Sequence, residues 1–348
     1  MLMNMNKIEP ANRIGTTNRI GWVDTLKCIG MFSIYVGHFL SLTGLSYAFI
    51  FAYGVQVFFF VSGFFAISGK KRSLKETLLH RIRTLLVPYV CFSILALVII
   101  SLQNNYGLEQ VLPLVKQSLL GMRNQTPAIA LWFLPALFIM QVLYDLLYRA
   151  LRQNRLLIFL LSMVLFILTA VYIDPIGQPK WIFSLDSALY FFPFYAMGPL
   201  LYPVLCFDWK ELSMRRKGLF AVLGAAILAV TMAIYFAKML PFYQLCKNIP
   251  LFPVLYPFFT ACVLIGFLYI LARALEHLPL LQAMGQKTLY FCGSETILKI
   301  LVPEFLSICG LTFALNDPLS VYLYGAVLML LGYYILIPIE KKLFGRWF

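Results

Sequence analysis

Long runs of apolar residues, each roughly 20 residues long, follow one another along the chain and are separated by short polar segments. A helical run of this length spans the hydrocarbon core of a bilayer, and lipid accepts only helices or closed barrels. A barrel would show segments of about ten residues with alternating polarity, which the chain lacks. We therefore predict ten spans, at residues 22–42, 47–68, 85–102, 129–148, 155–173, 187–205, 218–236, 252–272, 287–311 and 319–339.

The composition leads to the same fold class. Of the 348 residues, 61% are hydrophobic and only 12% are charged. A soluble fold always leaves a large wetted surface, so this composition excludes a soluble enzyme, a disordered chain and a fibrous repeat. We predict an all-α, polytopic integral membrane bundle of about ten transmembrane helices that forms one domain over residues 1–348. Its parts are a cytoplasmic N-terminal segment (1–21), the bundle (22–339) and a cytoplasmic tail (340–348).

The distribution of basic residues predicts the orientation. The net charge is +14, and 21 of the 28 Lys and Arg fall on the cytoplasmic side when the N-terminus is cytoplasmic, whereas six fall on the opposite side. This bias predicts that both termini are cytoplasmic in a multi-pass protein of the cytoplasmic (inner) membrane. It also accounts for the charge without a nucleic-acid partner, and membrane lipids are the expected surroundings. The seven cysteines show no disulfide framework or zinc spacing, so no metal site is predicted.

The first span carries a polar stripe that an isolated lipid-facing helix would not tolerate. Asp24 and Lys27 are three residues apart, which suits a local ion pair. His38 lies on nearly the same face as Lys27, ~16 Å further along the helix, and Tyr35 belongs to the same stripe. We therefore expect the stripe to face protein or a water-filled cavity.

His38 is the candidate catalytic residue, because a histidine side chain can accept and return a proton near pH 7. It could act as a general base or as an acyl carrier. The alternative is a hydrogen bond that only packs two helices. Asp24 and Lys27 are candidate catalytic neighbours, and the alternative for them is a structural ion pair at the inner interface.

The second span and the basic loop that follows it contain further candidates. Gln56 is polar at membrane depth and needs a partner, while Ser62 adjoins small residues that permit close helix approach. Arg81 and Arg83 could bind the phosphates of a cytosolic donor. Basic residues at this position also serve topology and contacts with lipid headgroups.

The ninth span holds Glu295, with Lys299 one turn further on. The two could form a structural ion pair, although the depth of Glu295 also allows it to face the His38 stripe. Gly293 and Pro303 mark this span as a candidate for a broken helix. In the fourth span we expect Asp145 to pair with Arg149. Trp132, at its outer end, fits an aromatic belt by default.

The order of these features resembles the membrane acyltransferase 3 family. The family's first signature is an acid, a basic residue and, after ten residues, a histidine; here these are Asp24, Lys27 and His38, with lysine in place of the more usual arginine. The second signature is a glycine followed by aromatic residues and Ser-Gly-Phe-Phe, which Gly54 and residues 58–65 match.

Weaker similarities continue along the chain. Arg81 and Arg83 before Pro88 and Tyr89 resemble the family's basic pair, and Trp132-Phe133-Leu134 resembles its Trp-aromatic-Leu motif. Near the C-terminus Gly285, Thr288 and Leu289 fit a further motif. Glu295 stands there in place of a histidine and Cys292 in place of a tyrosine.

The resemblance implies a membrane O-acyltransferase, in particular an O-acetyltransferase. It would use acetyl-CoA or another acyl-CoA as the donor substrate, with no bound cofactor, and a cell-surface polysaccharide or lipid-linked sugar as the acceptor. It implies His38 as the catalytic group and Arg81 and Arg83 near the donor's phosphates. Ser62, Gln56, Tyr35, Glu295 and Trp132 are the residues expected to line the site.

Two other functions are compatible with the residues alone. Polar residues at the midplane and broken helices are also features of transporters, so a carrier of a metabolite or lipid-linked sugar is the alternative. A non-catalytic assembly partner is a third interpretation. The sequence does not indicate an oligomeric state.

Overall fold

The computed structural model describes residues 20–44, 46–66, 73–206, 213–237, 247–310, 315–345 and 347, and these residues form helices and no strand. In chain order the helices are α1 (Gly21–Gly37), α2 (Ser46–Tyr53), α3 (Gln56–Phe64), α4 (Leu74–Arg81), α5 (Val87–Gln103), α6 (Leu108–Leu120), α7 (Phe133–Ala150), α8 (Arg155–Tyr172), α9 (Leu185–Leu205), α10 (Met214–Ala237), α11 (Phe252–Leu275), α12 (Pro279–Gly285), α13 (Thr288–Ile308), α14 (Pro318–Leu331) and α15 (Ile337–Phe344). The predicted N-terminal segment up to residue 19 and the basic residues 70–72 lie outside the described residues.

Seven helical runs in the described part of the chain are long and apolar enough to cross a membrane. They are Ser46–Phe64, Leu74–Gln103, Ile129–Ala150, Arg155–Tyr172, Ile182–Leu205, Phe252–Leu275 and Pro318–Phe344. These helices indicate a multi-pass membrane protein. Helices α1, α10 and α13 occupy the other three predicted positions. The count of about ten spans and the cytoplasmic side of both termini stay predictions.

Helices α1 and α13 lie side by side and run in the same direction. The hydroxyl of Tyr35 donates a hydrogen bond to the backbone oxygen of Phe291. One turn further along both helices, the side chains of His38 and Glu295 are in contact. These two contacts set the register that places the end of α1 beside the middle of α13.

Helix α13 packs on α5 in the same direction and on α15 in the opposite one. Gly293 is necessary on the α5 side, because a Cβ atom there would collide with the ring of Phe92. On the α15 side the Ser294 hydroxyl lies 2.8 Å from both carboxylate oxygens of Glu340. Glu340, which the sequence analysis assigned to the tail, is a fully buried residue of α15. Helix α13 continues through Pro303 without interruption.

Two π-helical turns widen the helices just before prolines. The turn Ile82–Leu86 precedes Pro88, and the turn Gly332–Leu336 precedes Pro338. Proline donates no backbone hydrogen bond and its ring crowds the carbonyl four residues earlier. A wider turn relieves this crowding. In the first case it also shifts the helix face, so that residues 84 and 85 reach the interior cavity described below.

The polar segment after α5 forms a surface helix. Helix α6 leaves Leu108, Leu112 and Leu119 exposed. It is fixed at its end by Tyr89, whose hydroxyl donates to the backbone oxygen of Ser118. This contact ties the loop that follows α6 to the bundle.

Candidate functional site

A cavity of about 350 Å³ lies inside the bundle, between α1, α3, α7, α9, α13 and the first π turn. Its volume falls in the usual range for small-molecule sites, roughly 300–1,000 Å³. Most of the wall is apolar, and its polar members include Lys27, His38, Gln56, Ser62, Arg123 and Cys292. Lys27 and His38 are ~16 Å apart along α1. The cavity therefore extends over a similar distance along α1.

His38 caps the C-terminus of α1 and contacts Glu295 of α13, which in turn is paired with Lys299. The Nδ1 atom of His38 lies 2.6 Å from Oε1 of Glu295. The same oxygen accepts a hydrogen bond from Nζ of Lys299 at 2.6 Å. The Glu295 side chain is 3% exposed and that of His38 is 23% exposed, so the imidazole is the member that reaches the cavity. Because Glu295 occupies Nδ1, any proton exchange with a bound molecule uses Nε2.

Glu295 is a shared partner and not half of an isolated ion pair. Its carboxylate is close to Lys299 and to an imidazole, and its second oxygen has no hydrogen-bond partner among the described residues. Lys299 also lies over the ring of Phe39, 4.5 Å from its centroid. The charge of Glu295 can therefore stabilise a positive imidazole without leaving the lysine unpaired.

The other end of the α1 stripe contains the expected ion pair. Nζ of Lys27 lies 2.7 Å from Oδ1 of Asp24. Asp24 is buried, while Lys27 lines the cavity. The start of α1 is held close to α12, since a Cβ atom on Gly285 would collide with the backbone of Asp24. Asp24 thus fixes Lys27, and Lys27 presents a positive charge to the cavity.

Tyr35 lies in the stripe but does not belong to the cavity wall. The ring of Tyr35 is completely buried and packs edge-on against the ring of Phe291. The backbone oxygen of Phe291 accepts a hydrogen bond from the Tyr35 hydroxyl. The effect of Tyr35 on the site is positional, because this bond keeps α1 and α13 in the register that brings His38 to Glu295.

The residues of the second-span signature and their neighbours have two roles: some pack against another helix, and others line the cavity. Gly63 packs against the backbone of Tyr195 on α9, whereas Ser62 and Gln56 line the cavity. Gln56 is buried, and its Oε1 atom has no hydrogen-bond partner in the part of the chain that the structure describes. Its Nε2 atom makes a 3.4 Å hydrogen bond to the backbone oxygen of Phe51. One end of this amide is therefore open to a bound molecule.

Trp132 belongs to the cavity wall and not to a lipid-facing belt. Its side chain is 5% exposed and stands beside the ring of Phe191, with the ring centroids 6.2 Å apart. The guanidinium of Arg123 lies over both rings, 4.9 Å and 5.7 Å from their centroids. The aromatic-belt interpretation underestimated this residue because the sequence did not indicate that the loop before α7 folds inward.

The described residues contain no cluster of three or more His, Cys, Asp or Glu that could hold a metal ion. The polar groups that face the cavity include an imidazole, an ammonium, a guanidinium, an amide, a hydroxyl and a thiol.

A protein-family model described as an acyltransferase domain matches residues 20–337, which is nearly the whole chain. The chain belongs to the acyltransferase 3 family. The protein is thus an acyltransferase. Comparisons with curated proteins and with solved structures gave no match.

The two arginines expected near the donor differ sharply in this acyltransferase. Arg81 is buried and its Nη2 atom lies 2.6 Å from Oδ2 of Asp145, a partner that the sequence analysis did not name when it expected Asp145 to pair with Arg149. Arg83 is exposed and belongs to the π turn. Arg81 therefore ties α4 to α7, and Arg83 is the member of the pair that an incoming anion can reach.

Sequence reasoning did not select two polar residues of the acyltransferase cavity as site residues. Arg123 entered only the count of charges, and Cys292 only the motif comparison. Cys292 lies on the α13 face that also carries Glu295, and its sulfur is 3.5 Å from the backbone oxygen of Ala130. The helical spacing of 292, 295 and 299 was a usable signal for Cys292. No local sequence pattern predicts the contact between Arg123 and Trp132.

Proposed function

We propose that this acyltransferase moves an acyl group, acetyl in the first instance, from acyl-CoA to a hydroxyl of a cell-surface polysaccharide or lipid-linked sugar. The observation that carries the proposal is the contact of His38 with Glu295 at the wall of the cavity. A base, a charge that stabilises its protonated form and a sheltered volume are what O-acyl transfer requires. The proposed location is the cytoplasmic membrane.

The proposed step uses Nε2 of His38 as a general base. Nε2 takes the proton of the acceptor hydroxyl while the oxygen attacks the thioester carbonyl carbon. The tetrahedral intermediate collapses, the carbon–sulfur bond breaks, and the leaving thiolate takes the proton from Nε2. The products are an ester and free coenzyme A, and the imidazole returns to its neutral form.

Glu295 supports this step by stabilising the imidazolium that forms during the attack. A carboxylate 2.6 Å from Nδ1 both orients the ring and offsets its positive charge. Lys299 limits the effect, because it shares the same oxygen. Lys27 lies ~16 Å from His38 along α1, so its positive charge is offered to the amide oxygens of the donor's pantetheine arm and not to the reacting thioester. We assign the donor's phosphates to the exposed Arg83.

The test compares two histidine variants in cells that contain equal amounts of protein. His38→Ala should remove the acyl groups from surface polysaccharide, measured by mass spectrometry as the loss of the acyl mass increment. His277→Ala changes an exposed histidine and should leave the modification unchanged. Normal acylation in the His38→Ala cells would remove this residue from the mechanism.

A second measurement separates direct transfer from an acyl-histidine intermediate. Purified protein is mixed with radiolabelled acetyl-CoA without an acceptor and then denatured at neutral pH. Direct transfer predicts no label on the protein. Label that depends on His38 would show instead that the imidazole carries the acyl group.

A further inference from the structure

Arg123 is a cation at the cavity wall without a neutralising ion pair among the described residues. No described carboxylate lies within 4.0 Å of it. Its Nη1 atom makes one long hydrogen bond, 3.3 Å, to the backbone oxygen of Pro175. The rest of the guanidinium rests on Trp132 and Phe191. A guanidinium has five N–H donors in a fixed fork, so most of its donor capacity is available to a ligand.

The carboxylate of Asp186, which is near Arg123, already accepts hydrogen bonds from backbone N–H groups. Asp186 is completely buried, and its carboxylate accepts hydrogen bonds from the backbone N–H groups of Lys180, Trp181 and Ser187 at 2.7, 3.1 and 2.6 Å. Burial lowers the pKa of Arg123 to about 10, although Tyr190 and Asp186 oppose the shift. Arg123 is therefore protonated at neutral pH and keeps its charge inside the wall.

The loop that carries Arg123 is held firmly. The hydroxyl of Ser184 donates to the backbone oxygen of Gly121 at 2.7 Å, and Ser184 itself adopts a left-handed backbone conformation with φ 51°. A residue other than glycine keeps such a conformation only where the surrounding structure enforces it. The guanidinium is thus presented to the cavity in a preorganised position.

Arg123 lies at the end of the cavity that also holds His38. The guanidinium of Arg123 lies 4.9 Å from the ring centroid of Trp132, and Ala130, in the same helical turn as Trp132, has its backbone oxygen 3.5 Å from the sulfur of Cys292. Cys292 is three residues from Glu295, or ~4.5 Å along α13, and Glu295 contacts His38. The loop and the imidazole are therefore at a similar depth, whereas Lys27 is ~16 Å away along α1.

We infer that Arg123 selects an acceptor sugar that carries an acidic group, a carboxylate or a phosphate, close to the hydroxyl that receives the acyl group. This inference rests on the proposed function. The phosphates of coenzyme A lie at the far end of its pantetheine arm from the thioester, so they do not sit beside the reacting atoms. An acidic group on the acceptor can lie within one sugar ring of its hydroxyl. The open amide end of Gln56 is available to another hydroxyl of the same sugar.

The first experiment measures transfer from acetyl-CoA by the full-length protein in proteoliposomes. The acceptors are methyl glucoside, methyl glucuronide and methyl glucoside 6-phosphate, which differ only in the group at C6. We expect kcat/KM for at least one anionic acceptor to exceed that for methyl glucoside by tenfold or more. Arg123→Gln should reduce this ratio to near one, and Arg123→Lys should keep part of it. The preferred anion distinguishes a carboxylate from a phosphate.

Three outcomes would overturn the inference. The ratio of anionic to neutral acceptor could be the same in wild type and Arg123→Gln. The KM for acetyl-CoA could instead rise with every acceptor, which would place the donor's phosphates at Arg123. Both variants could also lose transfer to all acceptors equally, which would make Arg123 a structural residue. Lys116→Gln, which removes one exposed positive charge, is the matched control and should change none of these values.

A second experiment measures binding without turnover. The thermal midpoint of the purified protein in detergent is recorded with each of the three sugars. We expect the anionic sugar to raise the midpoint of the wild type and of Lys116→Gln, and to have no effect on Arg123→Gln. If wild type transfers no acyl group, the proposed function fails, while this shift still reports on the anion site. If transfer occurs and the shift does not depend on Arg123, the inference alone fails.

Discussion

Oε1 of Glu295 lies 2.6 Å from Nδ1 of His38, although the two residues are 257 positions apart in the chain. The contact depends on the parallel packing of α1 and α13, which Tyr35 maintains through its bond to the backbone of Phe291. It leaves Nε2 of the imidazole for the cavity. The motif comparison led us to expect a histidine near this position of α13, and this chain instead has Glu295, whose carboxylate lies against His38.

Replacement of Glu295 by glutamine should lower kcat with little change in the KM for acyl-CoA. The glutamine side chain would keep the size of the original one but lose the charge that stabilises the imidazolium. We expect a decrease of about 10²–10⁴-fold, the range that general acid–base catalysis usually contributes. The measurement is steady-state transfer by protein in proteoliposomes.

The control for this change is Glu304→Gln, which removes an exposed carboxylate of the same helix. It should keep the wild-type kcat. A Glu295→Gln enzyme with unchanged kcat and unchanged pH profile would show that the carboxylate only packs α13 against α1. A loss of folded protein would be recognised by its thermal midpoint, which is measured in parallel.

Removal of either partner of the Arg81–Asp145 pair should destabilise the protein. The side chains are 9% and 15% exposed, so each single change leaves a buried charge without its partner, at a cost of about 3–5 kcal/mol. We expect Arg81→Met and Asp145→Leu each to lower the thermal midpoint in detergent. The double variant should lose less than the sum of the two, because no unpaired charge is left. Strict additivity would contradict direct coupling.

Arg83→Ala should affect the donor and not the fold. Arg83 is exposed, so its removal should leave the thermal midpoint within experimental error. If it binds the donor's phosphates, the KM for acyl-CoA should rise about tenfold or more, in line with the loss of a charge-assisted hydrogen bond. Arg152→Ala, another exposed arginine, is the control. An unchanged KM would indicate that Arg83 serves topology or lipid contacts.

The sequence predicted contacts correctly where the geometry of a single helix was enough to infer them. The spacing of Asp24 and Lys27 predicted an ion pair that the structure contains, and the depth of Glu295 allowed the contact with His38 that is observed. Both inferences needed only the rise and the period of an α-helix. Tyr35 shows the limit of this reasoning. A polar stripe shows which face of the helix points into the protein, but it does not show whether a hydroxyl on that face lines a cavity or bonds to a neighbouring backbone.

Contacts between segments that are distant in the chain could not be predicted from the geometry of a single helix. Arg81 pairs with Asp145 across 64 positions, and Arg123 reaches Trp132 only because the loop before α7 turns inward. For Arg81 the sequence offered a role in topology and lipid contacts as the alternative to donor binding, and Arg123 entered only the count of charges. The choice among these partners is made by tertiary packing, which local spacing does not encode. The same holds for Glu340, whose partner Ser294 is 46 positions away.

Gly63→Ala should destabilise the protein and disturb the cavity, whereas Gly218→Ala should do neither. A Cβ atom at residue 63 would collide with the backbone oxygen of Tyr195, and a backbone atom cannot rotate away as a flexible side chain can. Overpacking of this kind costs about 1–3 kcal/mol or more, and it would push α3 away from α9 together with Ser62, which lines the cavity. A Cβ atom at residue 218 meets nothing within 4 Å, so that change should be neutral or stabilise the helix by about 0.5–1 kcal/mol. Thermal midpoints and acyl transfer measured on both variants test this difference, and equal behaviour of the two would contradict the close contact of α3 with α9.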